Sequence, residues 1–259
     1  MVKVLPVTFR NHQGELLRGF VHVPAGYDSS RGVAVVFLHG FPGSMFGTAK
    51  RVLTPLAKKG FLCLRFEFSG TNTSEGKFEE KLMSKEVKEV GRAIDFLQNE
   101  YGFQKLVLMG HSTGAIDAGL YAPTDKRING LVLSGCVSDL LHAVHYDFSD
   151  VEVRQFWERG WIRYSRRGHW VDGKKLRKAF YDEFFTLDLP NALKKFRKPV
   201  LIVHGEKDEG VPVFNACEVF RMMRGRKKLM IVKGADHSYS KRTEATEVLR
   251  GVLRFIGSL

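Results

Sequence analysis

The sequence predicts an α/β fold: a doubly wound, mostly parallel sheet with one insertion after its sixth strand. Three observations carry that reading. Short, continuous apolar runs such as Val33–Leu38 have the pattern of strands buried on both faces. Amphipathic stretches of helical spacing alternate with those runs, which is the order of βαβ units. The stretch that breaks the alternation, 139–189, lies between two strand-like runs and holds all three tryptophans. At 259 residues, one domain of this kind buries a full core without staples.

Taken in order, Pro6–Arg10 and Leu16–Val23 read as a ribbon turned at Asn11–Gly14. Pro24–Gly32 is a loop, and Val33–Leu38 is a buried strand ending in His39-Gly-Phe-Pro-Gly43. Thr48–Lys59 is a helix closed by Gly60, and Phe61–Phe66 is the next strand. Leu82, Val87, Val90, Ile94 and Leu97 fall near helical spacing, so a long amphipathic helix is expected over Glu79–Glu100. Lys105–Met109 is a strand that runs through Gly110-His-Ser-Thr-Gly114 into a helix start at Ala115–Ala122. Gly130–Ser134, Pro199–His204 and Lys228–Val232 are further strands, with helices around Phe214–Met223 and from Thr243 to Ile256. Residues 1–138 and 190–259 therefore form the core, and 139–189 an inserted subdomain.

That subdomain begins as helix and is expected to turn a hairpin within Trp161–Lys175, at Arg167-Gly168 or Asp172-Gly173. It is rich in aromatic residues from Tyr146 to Phe185 and must pass over the strand ends, where open α/β sheets bind ligands. The expectation is a cap that forms a substrate pocket, against the alternative of a subdomain packed on itself.

The net charge is +13. It suits attraction to an anionic partner or, more simply, a solvated basic surface, whose densest cluster is Arg221, Arg224, Arg226, Lys227 and Lys228. No nucleic-acid-binding signature accompanies it, so no specific nucleic-acid partner is expected. No run has the length and apolarity of a transmembrane segment, and Met1–Arg10 lacks a signal-like block. With Cys63, Cys136 and Cys217 read as free thiols, a cytoplasmic location is expected. Neither a metal nor a cofactor is expected: no His-Glu-x-x-His or Cys/His cluster occurs, and His142 and His145 share helical spacing without a third ligand.

The chemistry centres on Gly110-His-Ser-Thr-Gly114. Strand, Gly-x-Ser-x-Gly, helix is the context of a nucleophile elbow, in which a sharp turn exposes the serine oxygen. A serine hydroxyl is a poor nucleophile without a base, and the base needs an acid to orient it. His237 follows the last strand and Asp208 the one before it, giving the chain order Ser112, Asp208, His237. Asp139 is a rival acid after another strand. Glu206 and Glu209 read as residues that shape or solvate the Asp208 loop, Asp236 as a neighbour of the base whose side chain points elsewhere, and His39, His111 and His204 as structural ones. A developing oxyanion needs preset donors, for which the backbone N–H groups of Thr113 and Phe41 are the candidates, since Pro42 has none.

These stretches resemble the α/β-hydrolase superfamily over essentially the whole chain, and within it small serine esterases of the feruloyl/cinnamoyl esterase and monoacylglycerol lipase type. The carrying segments are His39–Gly43, Arg65–Gly70 with Ser74–Glu79, Gly110–Gly114, His204–Asp208 and Gly234–His237. The resemblance implies the α/β-hydrolase fold, Ser112 as nucleophile, His237 as base, Asp208 as acid, Phe41 and Thr113 as oxyanion donors, and a cap at 139–189. Glu67 and Gly70-Thr-Asn72 depart from the family, which has Asp and Gly-His-Gly there. The expected activity is hydrolysis of carboxylic esters with an apolar or aromatic acyl group, a monoacylglycerol or another medium acyl or aryl ester, through an acyl-enzyme on Ser112. Amide, thioester and carbon–carbon bonds remain alternatives for the same residues, as does a non-catalytic ligand-binding relative; a homodimer stays open.

Overall fold

Alternation along the central strand decides the architecture. In β3 (Val33–Leu38), Ala34, Val36 and Leu38 enter one apolar core while Val35 and Phe37 enter another, as the period of two requires. Both faces of the sheet are therefore covered. The computed structural model describes residues 1–259, the side chain of Thr48 excepted.

Around β3 lie β1 (Lys3–Arg10), β2 (Leu16–Val23), β4 (Leu62–Phe66), β5 (Lys105–His111) and β6 (Ile128–Ser134). With β9 (Val200–Gly205) and β10 (Lys227–Val232), they make an eight-stranded sheet of order β1-β2-β4-β3-β5-β6-β9-β10. β1 and β2 pair antiparallel, β2 joins β4 antiparallel, and all later pairings are parallel. One face is covered by α2 (Met83–Glu100), α3 (Thr113–Tyr121) and α8 (Phe214–Met222), and the other by α1 (Thr48–Lys58) and α9 (Arg242–Ile256). No helix among the described residues is long and apolar enough to cross a membrane.

Between β6 and β9 the chain forms α4 (Leu140–Asp147), α5 (Asp150–Arg159), β7 (Trp161–Arg163), β8 (Lys175–Arg177) and α6 (Lys178–Asp182), and α7 (Leu189–Lys195) leads back to the sheet. The expected hairpin exists, with β7 paired antiparallel to β8, but both candidate turns lie inside its long connection. Gly168 at φ 77° and Gly173 at φ 73° each take a left-handed turn there.

The expected helix from Glu79 starts late. Phe78–Glu80 is a single 3-10 turn and Lys81 is extended, so α2 begins at Met83. The reason is tertiary. The break turns the Lys81 side chain inward, where it pairs with buried Glu86 and donates to Thr71 Oγ1 at 3.0 Å.

Asp117 on α3 is fully buried, and neither carboxylate oxygen has a hydrogen-bond partner among the described residues. Burial first, then the charge of Glu86, raises its pKa well above the usual carboxylate range. The folded state thus keeps a proton that the unfolded chain releases above the ordinary value of 3.8, so this residue erodes stability as pH rises. Asp117→Asn is expected to melt about 3 °C or more above the parent at pH 8, the two converging near pH 4. Calorimetry at both pH values tests this; a variant that melts lower at pH 8 refutes it.

Candidate active site

The turn at the end of β5 needs both of its glycines. A Cβ on Gly110 would stand 2.1 Å from Gly114 O, and one on Gly114 would stand 2.4 Å from Leu38 O. Ser112 between them is held at φ 56°, ψ −127°, a strained backbone for a residue with a side chain. Its N–H donates to Ser134 O at 2.8 Å, and its C=O accepts from Ala115 N at 2.8 Å, opening α3.

Asp208 follows β9 in a loop closed by its own side chain. Oδ1 accepts from Val211 N at 2.7 Å and Gly210 N at 3.0 Å, and Oδ2 lies 2.7 Å from His237 Nδ1. Burial opposes the charge, but hydrogen bonds from His204, His237 and Val211 outweigh it and hold the carboxyl well below the usual range. Asp208 is therefore ionised at neutral pH, and His237 donates from Nδ1. That leaves Nε2 as the nitrogen free to take a proton.

His237 and Ser112 line one cavity of about 480 Å³. No hydrogen bond joins Ser112 Oγ to the His237 ring among the described residues; in unliganded sites such contacts close only when substrate is bound. The loop after β3 lies directly on the serine, since a Cβ on Gly40 would stand 2.7 Å from Ser112 Cβ. Its position is fixed by Gly43 N donating to Gly40 O at 2.7 Å and by the Phe41 ring stacking 4.8 Å from Phe180. The N–H groups of Phe41 and Thr113 donate to no protein acceptor among the described residues.

The rivals have other partners. Asp139 caps α4 by accepting from Leu141 N at 2.8 Å and lines a different cavity, with His142 and Glu218. Glu206 accepts from Gly234 N, and Asp236 from Ser238 N and Ser240 N, so each shapes its loop. His39 donates from Nδ1 to Gly40 O at 2.8 Å and accepts from Phe68 N at Nε2, and burial lowers its pKa to about 3. His111 lies beside the His237 ring, 4.9 Å between centroids, and burial followed by the His237 charge lowers it likewise to about 3. His142 and His145 are exposed, and no group of three or more metal-ligating side chains occurs among the described residues.

The structure adds four features to the sequence reading. His204 is fully buried and places Nε2 2.8 Å from Val211 O and 3.2 Å from Asp208 Oδ2, a second donor on the acid. His204→Ala is expected to lower kcat about tenfold with little change in KM, because Asp208 loses a charge-assisted partner without losing its loop. Steady-state kinetics test this, and an unchanged kcat counts against it. Glu67 explains the departing loop: it accepts from Asn72 Nδ2 at 2.9 Å, Thr73 N at 3.0 Å and Thr73 Oγ1 at 2.6 Å. Lys81 lies buried 5.9 Å from the Phe41 ring centroid. Finally, the insertion brings Arg166 and His169, not its aromatic rings, to the cavity beside Ser112. The Lys81 and Arg166 placements depend on segments distant in sequence, and the Glu67 and His204 contacts, though only four to seven positions apart, depend on loop conformations that no periodic spacing signals.

The family model for the alpha/beta hydrolase family matches residues 35–248, most of the chain. The chain belongs to the alpha/beta hydrolase family. This hydrolase is 26% identical to the bifunctional esterase/perhydrolase DCH of Acinetobacter calcoaceticus, the match covering 86% of this chain and 91% of that one. It is 24% identical to the human mitochondrial palmitoyl-protein thioesterase ABHD10, over 81% of this chain and 68% of that protein. Among solved structures, Est1E from Butyrivibrio proteoclasticus with bound ferulic acid superposes with a TM-score of 0.82 at 22% identity, covering 97% of this chain and 99% of that one. That likeness concerns the fold.

Proposed function

We propose that this alpha/beta hydrolase is a cofactor-independent serine hydrolase of carboxylic esters. The observation that carries the reading is the 2.7 Å contact between His237 Nδ1 and Asp208 Oδ2, with His237 and Ser112 lining one cavity. Ser112 Oγ attacks the ester carbonyl as His237 Nε2 takes its proton, and the carbonyl oxygen gains negative charge facing the N–H groups of Phe41 and Thr113. Collapse of this intermediate expels the alcohol, which receives the proton from His237. A water activated by the same nitrogen then hydrolyses the acyl-enzyme and releases the acid. Asp208 keeps His237 in the productive tautomer and balances the imidazolium. Residues 139–189 act as the cap over this site.

A second reading has specific support, because relatives matched over most of the chain include palmitoyl-protein thioesterases. A thioester passes through the same acyl-enzyme with a thiol as leaving group. The deciding experiment is a panel of 4-nitrophenyl esters of graded chain length and with aromatic acyl groups, run beside a monoacylglycerol and the matched acyl thioesters. Turnover of the oxygen esters is the expected result. Turnover of thioesters alone selects the second reading, and failure of a fluorophosphonate probe to label the folded protein rejects both.

A further inference from the structure

The lining of the cavity beside Ser112 is of two kinds. Phe37, Phe41, Pro42 and Phe46 are apolar, and Arg51, Arg166 and His169 are basic. No Asp or Glu lines it among the described residues. Arg51 is held in place from α1 by donating to Ser240 O at 3.2 Å. Arg166 comes from the insertion, in the connection between β7 and β8. Its backbone N–H donates to Asp172 Oδ1 at 2.8 Å, which fixes the turn, while its guanidinium lies 5.9 Å from the Tyr164 ring centroid. That guanidinium makes no ion pair among the described residues. Asp147 and Glu152 line a neighbouring cavity of about 360 Å³ together with Arg163, and that cavity shares Phe41, Pro42 and Arg166 with the one beside Ser112.

Two arginines line a cleft that no carboxylate lines among the described residues, and a guanidinium is a planar donor matched to a two-oxygen anion. The apolar residues of the same lining lower the local dielectric and strengthen the field the arginines set up. We propose that the substrate of this site is an ester whose acyl part ends in an anionic group, a carboxylate or a phosphate, held by Arg166 with Arg51 and His169. The acyl body lies on the phenylalanines of the lining and the scissile carbonyl at Ser112. The inference rests on the reading of Ser112 as the nucleophile and adds the charge of the substrate to it. It also gives part of the +13 net charge a role, since a positive surface steers an anion toward the cleft.

The test compares three 4-nitrophenyl esters of similar length: the hydrogen adipate, the 5-phosphonopentanoate and the neutral hexanoate. At about 0.05 M salt at least one anionic ester is expected to exceed the hexanoate in kcat/KM by about tenfold, and the preference to shrink at about 0.5 M salt. Which anion is preferred separates a carboxylate substrate from a phosphate one. Arg166→Gln is expected to reduce the anionic-to-neutral ratio about tenfold, with Arg166→Lys restoring part of it. Arg250→Gln, exposed on α9, keeps the ratio of the parent. A hexanoate turned over as fast as both anionic esters, or a ratio unaffected by Arg166→Gln, overturns the inference and leaves the hydrolase reading intact. No turnover of any of the three, with Ser112 unlabelled by a fluorophosphonate, overturns both.

Discussion

Ser112→Ala is expected to lower kcat for any accepted ester by roughly a hundred-thousand-fold and to abolish fluorophosphonate labelling. The size follows from the covalent route, because without Oγ no acyl-enzyme forms and a water must attack a bound ester unaided. What remains is the contribution of binding and of the N–H groups of Phe41 and Thr113, which the substitution does not touch. The fold should persist. Ser112 donates no side-chain hydrogen bond among the described residues, and its positive φ is imposed by the turn at Gly110 and Gly114. Circular dichroism and melting of the variant therefore separate lost chemistry from lost structure. Labelling that survives in a folded Ser112→Ala protein would place the nucleophile elsewhere.

Asp208→Asn is expected to cost roughly ten-thousand-fold in kcat, with KM far less affected. Oδ1 can go on accepting from Val211 N and Gly210 N, so the loop is kept. The change falls on Oδ2, which would become an amide nitrogen facing His237 Nδ1 and His204 Nε2. A donor there forces His237 to accept at Nδ1 and carry its proton on Nε2, where it can no longer take one from Ser112. The imidazolium also loses its counter-charge. Pre-steady-state acylation by a 4-nitrophenyl ester reads the effect directly. If Asp208→Asn retains a tenth or more of the parent rate, the acid has been misassigned and the 2.7 Å contact is structural.

Much of this was legible because the relevant signals are local. Val33–Leu38, Lys105–Met109 and Pro199–His204 are apolar runs short enough to be strands and too continuous to be amphipathic helices. Each ends in a loop carrying a chemistry-bearing residue, so the parallel topology itself places Phe41, Ser112 and Asp208 at one edge. The glycines of the elbow could be read as obligatory because the clash they avoid, Gly110 against Gly114 O, spans only four positions. The start of α2 was not legible in this way. Leu82, Val87 and Val90 keep helical spacing, and the break at Lys81 comes from a buried partner, Glu86, together with Thr71.

The sequence by itself determined the doubly wound sheet and the order in which Ser112, Asp208 and His237 arrive at its edge. Both follow from hydrophobic period and from residues next to strand ends. Only the tertiary structure decided which histidine faces Asp208 from the cavity and which is buried behind it, since His204 and His237 both lie against the same oxygen. It also decided the character of the insertion. Phe148, Phe156, Phe180, Tyr181 and Phe184 pack on one another, and Trp157 stays 68% exposed beneath Lys178. The buried rings do not line the cavity, and Phe180 instead backs the Phe41 ring that does; burial against each other removes more apolar surface from water than an open cleft can. Arg166 and His169, exposed on the connection between β7 and β8, line the cavity beside Ser112.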